Sequence, residues 1–391
     1  MSLKLHVLIA LVCAILLNAC TSITDLKEDV SERLFGRQIT EIPSELDDIK
    51  STVEPKVLWS NQLGAIDDDD FTPVVDKDFV YAVGSKGELV KIIAATGKDA
   101  WRVNVAEPVS GGVGVGENLA LIGTKSGYVV AHNLDGKMLW KAKVSSQVLS
   151  APQVDLGTVV VRCGDSRIYG LNAVDGSRKW VYERATPPLS LKSSAGVVLD
   201  GGAVYAGFAG GKLISLRVDD GTVLWEVSVA QPKGTTEIER IADITSQPVV
   251  DGPLVYAVAY QGKIAAVDRA TGRIAWNRDI SSYTGLNAED ARIFVSHANS
   301  AVYALDFSTG KTYWRQGDLR QRRISAPLPM GNYIALGDVE GYIHLLSRED
   351  GGFVGRIQLE ESPILPQMTA LGSHTIIAQN RKGGIYAISL K

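Results

Sequence analysis

The chain has 391 residues, 45% of them hydrophobic and 21% charged, which is the composition of a soluble globular protein. A formal net charge of −4 and the lack of a basic cluster point away from a nucleic-acid partner. Of three cysteines only Cys163 lies in the body of the chain, so no disulfide can staple it and closure must come from packing and strand pairing.

In chain order, Lys4 and the apolar run Val7 to Leu17 form a signal-peptide arrangement, too short for the ~20 residues of a membrane-spanning helix. The run ends Leu17-Asn18-Ala19-Cys20, which resembles a bacterial lipobox. That resemblance implies removal of residues 1–19 and lipidation of Cys20, as a diacylglyceryl thioether with an acylated amine. The alternative is a plain secretory signal cut near Ala19. More than one acyl chain gives stable anchoring. Thr21 rather than Asp after Cys20 implies, by resemblance to bacterial sorting rules, the periplasmic face of the outer membrane. Residues 20–52 carry charge, Ser, Thr and Pro43 with little apolar periodicity, and read as a lipidated tether.

From Val53 the pattern becomes β. Val53 to Leu63, VEPKVLWSNQL, holds a Trp but no preceding Gly turn. The unit that then recurs is clearest at Gly262 to Trp276, GKIAAVDRATGRIAW: an alternating apolar run, a Thr-Gly turn, and a Trp four residues after the Gly. Copies start at positions 87, 127, 166, 211, 262, 300, 341 and 383, spaced by 38 to 51 residues. The motif absorbs all seven tryptophans: Trp59, Trp101, Trp140, Trp180, Trp225, Trp276 and Trp314. A period near forty with several short strands is the signature of a β-propeller.

Each period also carries an earlier strand led by proline, as at Pro73, Pro152, Pro248 and Pro327, where a missing N–H removes no ladder bond. The last copy, from Gly383, stops before its Trp strand, while Val53 to Leu63 is a Trp strand without predecessors. Joining them removes two exposed sheet edges. The expectation is an all-β, eight-bladed β-propeller of four-stranded antiparallel blades over residues 53–391, closed by pairing of the N- and C-terminal strands. Trp on the outermost strand should weld neighbouring blades. The seventh copy has Gly355 instead, and a looser joint is expected there.

Chemistry is sparse. His132, His297, His344 and His374 fall in different registers of different repeats, so a metal cluster is not expected. Asp67 to Asp70 lack the alternation of a calcium loop and read as a solvated turn. Gly111 to Gly116, GGVGVG, precede no helix pattern and read as a strand with close backbone approach. Cys163, within VVVRCGDS, reads as a buried strand residue. No catalytic residue and no metal ligand stands out.

The Trp-terminated AxDxxTGxxxW repeats resemble the quinoprotein (PQQ-type) propeller repeat over residues 53–391, a resemblance that specifies fold and not activity. A lipobox joined to eight such repeats resembles the lipoprotein scaffold family of the outer-membrane β-barrel assembly machinery. This implies a non-enzymatic protein without a cofactor. Its partners would be the periplasmic polypeptide-transport-associated domains of the central barrel subunit, the rest of that complex, and unfolded outer-membrane proteins. Pro188 to Lys192, and Gly234 to Arg240 leading on to Asp243, resemble the family segments that bind those domains. The resemblance implies roles for Leu189 and Leu191 as apolar anchors and for Lys192 and Asp243 as rim charges. Lys192 stands where the family often has Arg, and Thr245 where it has a second acid. The rival is a PQQ-dependent periplasmic oxidoreductase, which calls for adjacent cysteines and for acidic and amide calcium ligands; the sequence has no Cys-Cys pair.

Overall fold

Alternating apolar residues within each copy place every second side chain on one face of a strand, and both faces are buried where a strand lies between two sheets. The computed structural model describes residues 42–185 and 187–390. The expected signal peptide, Cys20 and the expected tether up to residue 41 lie outside the described residues. Among those residues, 32 strands form eight four-stranded antiparallel sheets, and there is no helix. The sheets are the blades of an eight-bladed propeller, and the innermost strand of each lies against those of its neighbours around the closed ring.

Burial follows position in the blade. Second strands such as Ala203–Phe208 and Leu119–Thr124 are buried along their whole length. Outermost strands such as Val223–Ser228 bury only the Trp and expose its flanks. The core is therefore a set of layers between blades; one joins Val160, Ile168 and Trp180 of the third blade to Val204, Ile214 and Leu216 of the fourth. The innermost strand of the second blade, Val109–Gly116, shows the expected close approach: a Cβ at Gly114 would meet the Pro152 carbonyl oxygen at 1.7 Å.

Tryptophan welds the blades as expected, through two contacts. Every indole N–H donates to a backbone carbonyl of the next blade, as Trp225 Nε1 does to Arg269 at 2.9 Å and Trp59 Nε1 to Ala94 at 2.7 Å. Each ring also lies against the turn glycine of that next blade, Trp225 against Gly272 and Trp314 against Gly351. A β-bulge between the third and fourth strands, at the residue before the Trp, turns the ring inward; Leu224 and Ala275 are examples.

Closure takes the expected form. The strand Lys56–Gln62 pairs antiparallel with Gly384–Ser389, Trp59 opposite Ala387, and completes the eighth blade. The joint at Gly355 is not loose. A Cβ there would lie 2.5 Å from the Val53 carbonyl oxygen, and the Val53 amide donates to Val354 at 2.9 Å. Val53 and its neighbours fill the place of the missing indole. The reason is topological: the eighth blade is built from both chain ends, so it has no hairpin glycine there for a Trp to cover.

The segment before Val53 is packed too. The Ser44 amide donates to the Arg320 carbonyl at 3.0 Å, and the Ser44 carbonyl accepts from Arg322 Nη1 at 2.6 Å. Asp47 accepts from Arg356 Nη1 at 3.1 Å through its carbonyl, and Leu46 packs on the core near Trp314.

Candidate partner-binding face

Two long loops rise from the same rim because each joins the outermost strand of one blade to the innermost strand of the next. One runs from strand Arg178–Tyr182 to strand Val197–Asp200, the other from Val223–Ser228 to Val249–Asp251. The structure brings them together at Asp243. Its Oδ2 accepts the Leu191 amide at 2.8 Å and its Oδ1 the Gly210 amide at 2.9 Å. A carboxylate can accept several N–H bonds, and backbone donors hold it in place without a cation. Ser193 Oγ adds a 3.3 Å bond to the Thr245 carbonyl.

Asp243 is 3% exposed, which corrects the expectation of a charge on the rim: its lone pairs are taken up beneath the loop, and it positions Leu191 instead. Leu189 is 42% exposed and stands out from the loop, whereas Leu191 is half-buried over the Asp243 junction. Lys192 reaches back toward the first blade, its Nζ 3.5 Å from Asp69 Oδ1 and 3.4 Å from the Asp68 carbonyl.

Asp67 and Asp68 are exposed, as expected of a solvated turn, but Asp69 and Asp70 are drawn into the fold. Asp69 is 4% exposed, with Lys125 Nζ 3.0 Å from its Oδ2. Arg381 donates to the Asp67 and Asp69 carbonyls and to Asp70 Oδ1 at 2.7 Å. Ser194 Oγ meets Asp70 Oδ2 at 3.1 Å. The run is ordered because cations from three other loops converge on it, an arrangement its own four residues do not encode.

Two features escaped the sequence reading. Ile238, 67% exposed, is displayed by a turn in which Glu239 Oε2 accepts the Thr235 and Thr236 amides at 2.8 and 3.1 Å, while Thr236 Oγ1 accepts the Glu239 amide; Thr-x-x-Glu is a legible capping-box signal. Arg162 is buried on the strand Thr158–Arg162, its guanidinium stacked 4.8 Å from the Phe208 ring. An arginine in the run VVVRC was the available clue. Cys163 beside it is buried, and burial pushes its thiol up to about 12, which makes it unreactive.

The mouth of the central channel holds a cavity of about 350 Å³ lined by Thr72, Gln153, Thr245, Gln247 and Gln367. A calcium-held quinone does not fit these donors. They are neutral amides and hydroxyls, and the lining carboxylate, Asp70, is paired with Arg381. Among the described residues no three His, Cys, Asp or Glu side chains group as a metal site.

The family model described as outer membrane protein assembly factor BamB matches residues 86–316. An outer membrane protein assembly factor BamB from Nitrosomonas eutropha is 39% identical over 383 residues, covering 96% of this chain and 93% of that one. The protein of the same name from Burkholderia pseudomallei is 36% identical over 88% of this chain and 91% of its own. Among solved structures, BamB from Moraxella catarrhalis superposes with a TM-score of 0.79 at 26% identity, covering 86% of this chain and 99% of that one.

Proposed function

Because the chain belongs to the BamB family of outer membrane protein assembly factors, we propose that it acts as a non-enzymatic docking scaffold for the central subunit of the β-barrel assembly machinery. The rim built by the loops at Leu189 and Asp243 would receive that subunit's periplasmic domains, and a lipid on Cys20 would hold the propeller at the periplasmic face of the outer membrane. Unfolded outer-membrane proteins would then meet the assembled complex.

The observation that supports this reading is Leu189: an apolar side chain 42% exposed on a loop locked from below by a buried carboxylate. An apolar side chain held out on a long loop offers a partner an anchor, and a loop already held in one conformation loses little entropy on binding. A central apolar anchor of this kind is worth about 2 kcal/mol or more in a protein interface. Co-purification of the barrel subunit with Leu189→Ala/Leu191→Ala tests it. The double variant should lose the partner while circular dichroism and melting stay native; full binding would show that the face is misassigned.

A further inference from the structure

Arg162 has too few acceptors for its position. Only 8% exposed, it makes one hydrogen bond among the described residues, from Nη1 to the Ala195 carbonyl at 3.0 Å. A guanidinium carries five N–H donors. The nearby anion, Asp243, is occupied by the Leu191 and Gly210 amides, and no hydrogen bond from Arg162 reaches it. Burial pushes the guanidinium down to about 10, with the charge of Asp243 partly opposing. Buried charges are ordinarily paired, because an unpaired one carries its full desolvation penalty. Arg162 also lines a cavity of about 270 Å³ beneath the Leu191 loop, together with Gln147, Ser190, Lys192, Ser193 and Asp243. Arg162 and Asp243 balance each other there, so the surplus positive charge of the lining is that of Lys192.

We propose that this cavity is a socket for an acidic side chain of the docking partner, gripped by the planar fork of Arg162 and closed from outside by Lys192. The inference rests on the reading that this rim binds the barrel subunit. The chemistry selects a carboxylate: its single charge neutralises the socket, its two oxygens match the guanidinium edge, and Ser190 offers a further donor. Lys192 holds Asp69 only at 3.5 Å, and Lys125 is the nearer counter-ion of that carboxylate at 3.0 Å, so Lys192 can turn inward without leaving Asp69 unpaired.

The test titrates the purified periplasmic domains of the central barrel subunit onto the folded chain at two salt concentrations. Arg162→Gln should weaken binding about tenfold and flatten its salt dependence, while Arg162→Lys, which loses the planar fork but keeps the charge, should weaken binding less and retain the salt dependence. If Arg162→Gln binds within about twofold of the parent while the leucine pair loses binding, the socket is overturned and the docking face stands. If neither variant loses binding, the face itself falls and the socket with it. A salt dependence flattened as much in the Lys variant as in the Gln variant also overturns the socket, since charge would then be irrelevant. A second measurement needs no variant that could misfold. The Arg162 Nε–H resonance of the parent should shift saturably with sodium acetate and not with sodium chloride at equal ionic strength. Equal response to both salts overturns the proposal.

Discussion

A Cβ added to Gly272 would lie 2.7 Å from Cγ of Trp225, and the same glycine sits at φ +72°. Two physical demands therefore meet at one position: a left-handed turn and the clearance for an indole from the preceding blade. Gly331 separates them, since its φ is +64° and nothing lies within 4 Å of its would-be Cβ. Gly331→Ala should therefore show turn strain alone, about 1 kcal/mol, while Gly272→Ala adds the displacement of Trp225, for about 2–4 kcal/mol in all. Urea melts of the two variants check this, and equal losses would mean the indole contact contributes nothing. The recurrence of Thr-Gly and Trp was legible because one repeat supplies the ring and the next supplies its seat. Arg162 was not legible in the same way, because a single charge in an apolar strand carries no period.

The seventh blade shows what an element does when its repeat is broken. Gly355 announced a gap in sequence, but the filler, Val53 with the segment behind it, has no period of its own and could be found only by packing. Part of what holds that segment is a buried polar cluster on this blade. Arg322 Nε and His344 Nε2 both lie within hydrogen-bond reach of Asp338 Oδ2, at 2.7 and 2.8 Å, and Arg356 Nε donates to His344 Nδ1 at 3.1 Å. Because Nδ1 accepts from Arg356, the proton of a neutral imidazole sits on Nε2 and is donated to Asp338. Tyr342 stacks on the ring and Phe353 meets its edge.

Burial pushes the His344 imidazole below its ordinary 6.5; Asp338 opposes, and the charges of Arg356 and Arg322 add to the depression. Burial alone would raise the Asp338 carboxyl, but hydrogen bonds from His344, Tyr342 and Arg322 hold it below its ordinary value. For the histidine the unfolded chain takes up the proton first, so the stability it contributes is intact above pH 6.5 and is lost as pH falls below it. His132, also depressed by burial, acts in the same direction. The melting temperature should thus fall between pH 7 and pH 5, and His344→Gln should flatten that slope without abolishing it. A parent curve with no slope across this range would show that neither imidazole is held neutral by the fold.

At the scale of the whole molecule, the ring makes a platform on which loops from successive blades are set side by side by construction, and the period alone made that much readable. The proposal that this rim is a docking face came from resemblance at Leu189, Leu191, Lys192 and Asp243. Physical chemistry then divides those four residues: Leu189 faces solvent, Leu191 is half-buried, Lys192 leans on the acidic run at Asp69, and Asp243 is interior. The sequence could not make that division, because the burial of Asp243 depends on amides that lie 52 and 33 residues away. Asp243→Ala removes both acceptors at once. Each bond to a charged acceptor is worth about 1.5–3 kcal/mol, but the freed amides at the loop can turn to water, so the global loss should be nearer 2 kcal/mol than the full sum. The local effect should be larger, since the backbone at Leu191 loses its fixed point. Amide hydrogen exchange is expected to quicken across residues 188–195 and around Gly210, with the inner strands of the same blades unchanged. Partner binding should fall with it, although Asp243 is buried, because the entropy of ordering the loop would then be charged to the binding step. If exchange across residues 188–195 is unaltered in this variant, the carboxylate does not hold the loop, and its place in the docking face would have to be a direct contact after all.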